Sequence, residues 1–323
     1  HHRLPWEVDQ SYELKGSYKK SLRVAEQLIL ATDTESSPWH LIDAENEYYR
    51  DISAGEIILQ AMRARVKPSA VPGNEAAPAK RTAARQPTVL DAVDLNLSLD
   101  KKAYKRKLEK YQDKLQGLIW KAYQKKRAVV AVFEGWDAAG KGSAIRRVTG
   151  AIDPRLYSLV QFAAPTDEER AQHYLWRFWR RLERDGRSTL FDRSWYGRVL
   201  VERVEQFATA NEWQRAYSEI NDFEQQLVDH GTIVLKFWLH ISPQEQLARF
   251  KARETEPRKR YKITAEDWRN RDKWPAYEEA VQDMVSHTST RYAPWTLVAG
   301  NDKRYARIQI LKTFCKTLER ALD

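Results

Sequence analysis

Cysteine is all but missing from this chain: Cys315 is the single one in 323 residues. That excludes an internal disulfide and any cysteine-based zinc cluster, and it suits a reducing compartment. Cys315 lies in a helical, partly apolar stretch and reads as a buried, inert thiol. Long apolar runs are also lacking: none approaches the ~20 residues a membrane-spanning helix needs. Nothing has the charge, apolar and cleavage pattern of a signal peptide. No Ser-His-Asp set, zinc-ligand spacing or tandem helix-turn-helix pattern stands out. His173, His230, His240 and His287 show no mutual spacing of ligands or bases and read as structural. These absences predict a soluble, cytoplasmic protein with no membrane partner.

What the chain has in surplus is positive charge, a net +10 with an isoelectric point near 9.4, so its ligands are expected to be acidic. Hydrophobic residues make up 42%, enough for one sizeable core and something extra. Residues 66–87 are rich in Pro and Ala and nearly free of large apolar side chains. Such a stretch buries too little to repay its ordering and reads as a linker. Beyond it, a basic amphipathic helix is predicted from Ala103 to Gln124. Residues 128–133, a short β-rich apolar run, and 159–162, 188–192, 232–241 and 295–298 read as five strands. Between them lie helical patterns, among them 167–184 and the closing 303–322. Strands alternating with helices indicate a parallel sheet covered on both faces.

The first 65 residues repeat a stretch near the C-terminus. Thr32, Thr34, Pro38, Trp39, Leu41 and Tyr49 match Thr288, Thr290, Pro294, Trp295, Leu297 and Tyr305 at one constant offset of 256 residues (Thr288 from Thr32). Residues 1–65 are therefore expected to be the tail of an earlier, similar domain, with 66–92 a linker and 93–323 the catalytic domain.

Gly135-x4-Gly140-Lys141 follows a predicted strand and opens a predicted helix. In that context the pattern is a phosphate loop: glycines let backbone N–H groups approach phosphate oxygens, the helix N-terminus adds partial positive charge, and Lys141 adds a full one. Gly135, Ala138, Ala139, Gly140, Gly142 and Ser143 are the loop's expected phosphate-binding positions. Gly142 stands where a hydroxyl would usually hold a metal ion, with Ser143 one residue late. Asp137 is a carboxylate in a place built for anions, which makes sense if it holds a metal or orients an attacking group. Asp192 ends the third strand, where strand ends converge on one crevice and a carboxylate can bind metal. Arg193 and Arg198 then stand where they could clamp phosphates. On the predicted helix 172–184, Arg177 and Arg180 face the same use, opposite an apolar side of Leu175, Phe178, Trp179 and Leu182. The basic run 249–262 around Pro257 reads as a lid.

With these residues in hand the chain resembles the polyphosphate kinase 2 family. The resemblance rests on residues 133–143 (FEGWDAAGKGS), 191–198 (FDRSWYGR) and 256–262 (EPRKRYK), which together span most of 93–323. A Gly after the loop lysine is usual in that family. The resemblance implies an α/β, three-layer P-loop kinase-like fold of the thymidylate kinase type, a parallel sheet flanked by helices with a helical lid. It further implies Mg²⁺ as cofactor and inorganic polyphosphate as donor or acceptor. Lys141 would hold phosphates, Asp137 and Asp192 would manage metal and acceptor, and Arg193 with Arg253, Lys259 and Lys262 would clamp the polyphosphate. Family members with two fused copies look like polyphosphate:AMP phosphotransferases, so the repeat points to AMP as acceptor and ADP as product, with no nucleic-acid partner. An ATP-dependent nucleotide kinase and a polyphosphate-dependent nucleoside diphosphate kinase are the alternatives. The residues leave open whether copies of the chain associate into a homo-oligomer.

Overall fold

The computed structural model describes residues 18–66 and 88–323, which fall into two compact units divided at Thr82 and Ala83. Most of the expected linker, residues 67–87, lies outside the described residues. Its last part does not behave as a linker. Leu90 is buried in the core, and the Val89 amide donates to Gln282 Oε1 at 2.6 Å.

The first unit consists of α1 (Tyr18–Thr32) and α2 (Glu47–Val66). The second contains α3 (Lys101–Gln124), β1 (Val129–Gly135), α4 (Lys141–Thr149), β2 (Tyr157–Gln161), α5 (Asp167–Arg170), α6 (Trp176–Trp179) and β3 (Ser188–Asp192). It continues with α7 (Val201–Val204), α8 (Ala210–Asp229), β4 (Ile233–His240), α9 (Pro243–Thr255), α10 (Ala265–Asp272), α11 (Trp274–Thr288), β5 (Trp295–Ala299) and α12 (Lys303–Leu322). The five strands form one parallel sheet in the order β2-β3-β1-β4-β5. β1 and β4 are buried on both faces, which is why they appear in the sequence as near-continuous apolar runs rather than alternating ones. α3, α4 and α12 cover one face. On the other, α8 packs Phe223 against Trp195, edge to face at 4.9 Å. Phe133, Phe237 and Phe314 stack in succession between the sheet and α12.

The expected helix over 167–184 is not there. Only α5 and α6, four residues each, are helical, with turns between them. Thr166 and Glu169 close a capping box around α5, and Arg177 Nη2 then donates to the Ala163 carbonyl and pairs with Glu169. Leu175 and Phe178 do reach the core, whereas Trp179 is 44% exposed. The guanidinium of Arg177 lies over the Phe162 ring and that of Arg180 over Trp176, so both are engaged within the segment. α4 stops at Thr149, and Ile152 is buried beyond its end.

Cys315 is buried with Sγ 3.5 Å from the Tyr111 carbonyl, and burial pushes its thiol up to about 11. The thiolate is the reactive form. Folded protein at neutral pH is therefore expected to resist a thiol-alkylating reagent that labels it fully in denaturant. Rapid labelling of the native protein, followed by mass spectrometry, would contradict this packing.

The repeat extends to individual hydrogen bonds. α1 and α2 have the bounds of α11 and α12 displaced by the same 256 residues (Tyr18 to Trp274, Glu47 to Lys303). Thr32 Oγ1 donates to the Leu28 carbonyl and accepts from Trp39 Nε1, as Thr288 Oγ1 donates to Met284 and accepts from Trp295 Nε1. The Ser37 amide donates to Thr34 Oγ1, as Ala293 does to Thr290. The Trp39 amide donates to Asp33, as Trp295 does to Ser289. Asn46 caps α2 through the Tyr49 amide, as Asp302 caps α12 through Tyr305. The surroundings differ. Trp295 is 8% exposed, while Trp39 is 50% exposed and residues 39–43 join no strand pairing among the described residues.

Candidate active site

β1 is flanked by β3 on one side and β4 on the other, so its carboxyl end is the point where the connections part and a crevice opens. The loop that leaves it needs glycine at two places. A Cβ on Gly135 would lie 2.6 Å from the Leu239 carbonyl oxygen, and Gly140 holds φ +110° as the N-cap of α4. Lys141 folds back over this loop, its Nζ donating to the Gly135 carbonyl at 2.6 Å. From outside, Arg249 fixes the loop's middle. Its guanidinium, 6% exposed, donates to the carbonyls of Ala138, Ala139, Gly300 and Asn301 and pairs with Glu245. Trp136 is stacked on Trp274 at 3.7 Å and donates through Nε1 to His240 Nδ1 at 3.0 Å. His240 is thus a structural support of the loop.

A cavity opens beside the loop, walled by Glu134, Gly135, Trp136, Asp137, Lys141, Arg193, Gly197, Leu200, Val201, Gln246, Asn270 and Tyr277 among others. Asp137 points into it. One carboxylate oxygen accepts from Asn270 Nδ2 at 2.9 Å and the other lies 4.0 Å from Arg193 Nη2. Arg193 has a left-handed backbone, φ +68°, that a non-glycine residue adopts only when held. The hold comes from its own amide on the Phe133 carbonyl and from Ser194, whose amide and hydroxyl both donate to Glu134 Oε1 at 2.7 and 2.8 Å. Burial raises the carboxyl pKa of Glu134, opposed by Lys141, Ser194 and Arg193.

Asp192 stands beside the cavity rather than in its wall. Its Oδ2 accepts from Gln161 at 3.3 Å and is 4.0 Å from the point a Cβ on Gly142 would occupy. Gly142 therefore leaves room between the start of α4 and this carboxylate. Ser143 Oγ accepts from Arg307 Nη2 at 3.1 Å, so its hydroxyl is held by a basic residue of α12. Arg198 is turned away from the cavity wall, paired with Glu202 at 3.2 Å and lying over the Tyr174 ring. The lid residues also stand outside it, Arg253 near the end of α9 and Lys259 and Lys262 on the segment joining α9 to α10. Arg253 donates to the Lys262 carbonyl, Lys259 pairs with Glu256, and Lys262 lies over Tyr261. Among the described residues, no group of three or more His, Cys, Asp and Glu could enclose a metal ion. A metal here would complete its shell with water and substrate phosphate around one or two carboxylates, the habit of Mg²⁺.

The sequence alone gives no separate role to Glu134, Arg249, Asn270 or Tyr277. Glu134 left one readable sign, a carboxylate closing an otherwise apolar strand run. Asn270 and Tyr277 left none, because they meet Asp137 from more than 130 residues away.

Residues 98–322 match the sequence signature of the family described as Polyphosphate kinase 2 (PPK2). The chain belongs to the polyphosphate kinase 2 family. It is 49% identical to the polyphosphate:AMP phosphotransferase of Pseudomonas syringae pv. tomato and 51% identical to that of Pseudomonas aeruginosa. Each match covers 98% of this chain and 63% of the relative, so the chain spans less than two thirds of the length of these proteins. A solved structure described as a polyphosphate kinase 2 from Pseudomonas aeruginosa superposes with a TM-score of 0.83 at 50% identity, over 94% of this chain and 62% of that one. Another, from Arthrobacter aurescens, gives 0.70 at 34% identity over 75% of this chain and 89% of its own. The parallel sheet with helices on both faces is thus the P-loop kinase-like fold of this family, and no helix among the described residues is long and apolar enough to cross a membrane.

Proposed function

We propose that this polyphosphate kinase 2 chain transfers the terminal phosphoryl group of inorganic polyphosphate to AMP, giving ADP. The observation that carries it is one cavity in which the phosphate loop and Lys141 meet Asp137 and Arg193 on one side and the apolar and aromatic wall of Leu200, Val201 and Tyr277 on the other. The nucleoside lies against the wall with its phosphate toward Arg193. The transferred group sits on the loop amides and Lys141. An oxygen of the AMP phosphate forms the new bond to phosphorus as the bond to the bridging oxygen breaks, and the shortened polyphosphate leaves with the electron pair. The AMP phosphate oxygen is already ionised, so the step needs no base. Asp137, fixed by Asn270 and facing Arg193, orients the arginine between acceptor and transferred phosphate. Mg²⁺, when bound, would be held by Asp192 together with substrate phosphates and would neutralise their charge. Arg253, Lys259 and Lys262 would complete the charge compensation as the lid approaches the donor.

The same proposal assigns residues 18–66 to the closing helix-strand-helix of a preceding kinase-like domain. The shared offset of helices and hydrogen bonds supports it, as does the greater length of the relatives.

ADP formation from AMP, measured with polyphosphate and with ATP as donor, tests the reaction. Polyphosphate is expected to support it, with a KM that rises as salt screens the polyanion. Activity with ATP alone would refute the proposal, and phosphorylation of ADP in preference to AMP would refute the acceptor.

A further inference from the structure

The acceptor cavity touches only the first half of the phosphate loop, Gly135 to Asp137 and Lys141. At the other end, beyond Ser143, the start of α12 brings three cations together. Arg307 reaches Ser143 Oγ with Nε at 3.3 Å and Nη2 at 3.1 Å, and its Nη1 is 3.5 Å from the Tyr104 hydroxyl. Arg304 donates to the Leu99 carbonyl, beside exposed Lys101 at the start of α3. The Lys303 ammonium has no hydrogen-bond or ion-pair partner among the described residues. Partial shielding of the ammonium from water lowers its pKa, and the charges of Arg249, Lys259 and Arg307 lower it further. The one carboxylate that opposes them, Glu245, is already hydrogen-bonded to Arg249.

This arrangement is poor for folding. Cations in the first turn of a helix face the positive end of its dipole, and here they crowd one another beside the N-terminus of α4 as well. A solvated basic face would spread its charges and pair them with carboxylates. An anion lying across Lys303 and Arg307 would relieve the repulsion.

In-line transfer supplies the anion. The attacking and leaving oxygens lie on opposite sides of the phosphorus, so with the acceptor at the Asp137 end of the loop the leaving chain departs toward the Ser143 end. We infer that Lys303 and Arg307, with Lys259 of the lid segment, form a shelf that binds the polyphosphate chain beyond its transferred end. This rests on the donor reading above and adds where the rest of the donor runs.

The test is steady-state kinetics of ADP formation at saturating AMP, with long-chain polyphosphate and with tripolyphosphate, which has only two phosphates beyond the transferred one. Lys303→Ala and Arg307→Ala are expected to raise KM for the long chain several-fold, and to leave KM for tripolyphosphate within about twofold. Each loss should make the salt dependence of long-chain KM shallower by about one ion, the amount one phosphate-contacting cation contributes. Lys303→Glu, a change at an exposed position, should exceed Lys303→Ala. An unchanged long-chain KM, or equal rises for both donors, overturns the shelf while leaving the reaction intact. A wild-type protein that uses ATP and no polyphosphate of either length overturns the reaction and the shelf together.

Discussion

Arg193→Ala is expected to lower kcat for ADP formation from polyphosphate and AMP by about 10³ to 10⁵, the range one charge-clamping arginine supplies in phosphoryl transfer. Its guanidinium is half exposed in the cavity, with Asp137 at 4.0 Å as its ion-pair partner, so it holds no part of the core together. The backbone at this position is instead tied down by Phe133 and, one residue on, by Glu134. Truncating the side chain removes charge from the reaction and leaves those ties in place. The variant should therefore melt close to wild type, with its loss in kcat rather than in stability. Arg193→Lys should recover little, because a point charge on a flexible stem does not reproduce the planar fork that can bridge two phosphates. Steady-state kinetics beside a thermal melt would check both halves. A fall of less than tenfold, or a variant that fails to fold, would remove Arg193 from the place assigned to it.

Much of this was legible in the sequence because parallel strands are buried on both faces. β1 announces itself as a continuous apolar run and β4 as one broken only by Lys236, β3 and β5 as shorter β-rich stretches, and the loop glycines follow the first of them directly. The closing helix is bounded by a capping Asp302 that the sequence displays openly. The segment 167–184 was not legible. Its leucines and aromatics recur at helical spacing, yet the same spacing is met by two short turns whose arginines fold onto Phe162 and Trp176. In the basic run after β4, Arg249 looks like its neighbours. Only burial separates it, as the clamp on the loop carbonyls, from the lid residues Arg253, Lys259 and Lys262. Local pattern cannot report which of several like charges is driven inside. The Asp137–Asn270 contact is a second such case, made by the approach of α10 to the loop and by no motif.

The lysine within β4 has the other large effect. Lys236 is fully buried, with Nζ 2.6 Å from Glu224 Oε2, 2.7 Å from the Thr288 carbonyl and 2.9 Å from the Tyr196 hydroxyl. Glu224 Oε1 in turn accepts from Trp195 Nε1 and Tyr196. The network ties the turn that carries Trp195 and Tyr196, directly after Arg193, to the sheet and α8. Burial drives the Glu224 pKa up and the Lys236 pKa down, and each is opposed by the other's charge. Lys236→Met leaves a buried carboxylate with only neutral donors, and breaking a buried pair in this way costs about 3–5 kcal/mol. Without the ammonium, the carboxyl pKa of Glu224 rises further above its ordinary 4.5. A raised folded-state pKa gives stability that is present below the unfolded value and lost as pH climbs toward the folded one. The variant's deficit against wild type should therefore grow from pH 5 to pH 8 in urea unfolding. Adding Glu224→Gln keeps an acceptor for Trp195 and Tyr196 and removes the ionisable group, so the double variant should recover part of the loss at pH 8 and lose the extra pH dependence. If Lys236→Met alone unfolds within about 1 kcal/mol of wild type at pH 8, the pair contributes no more than an exposed one, and the turn after Arg193 is held by its aromatic packing instead.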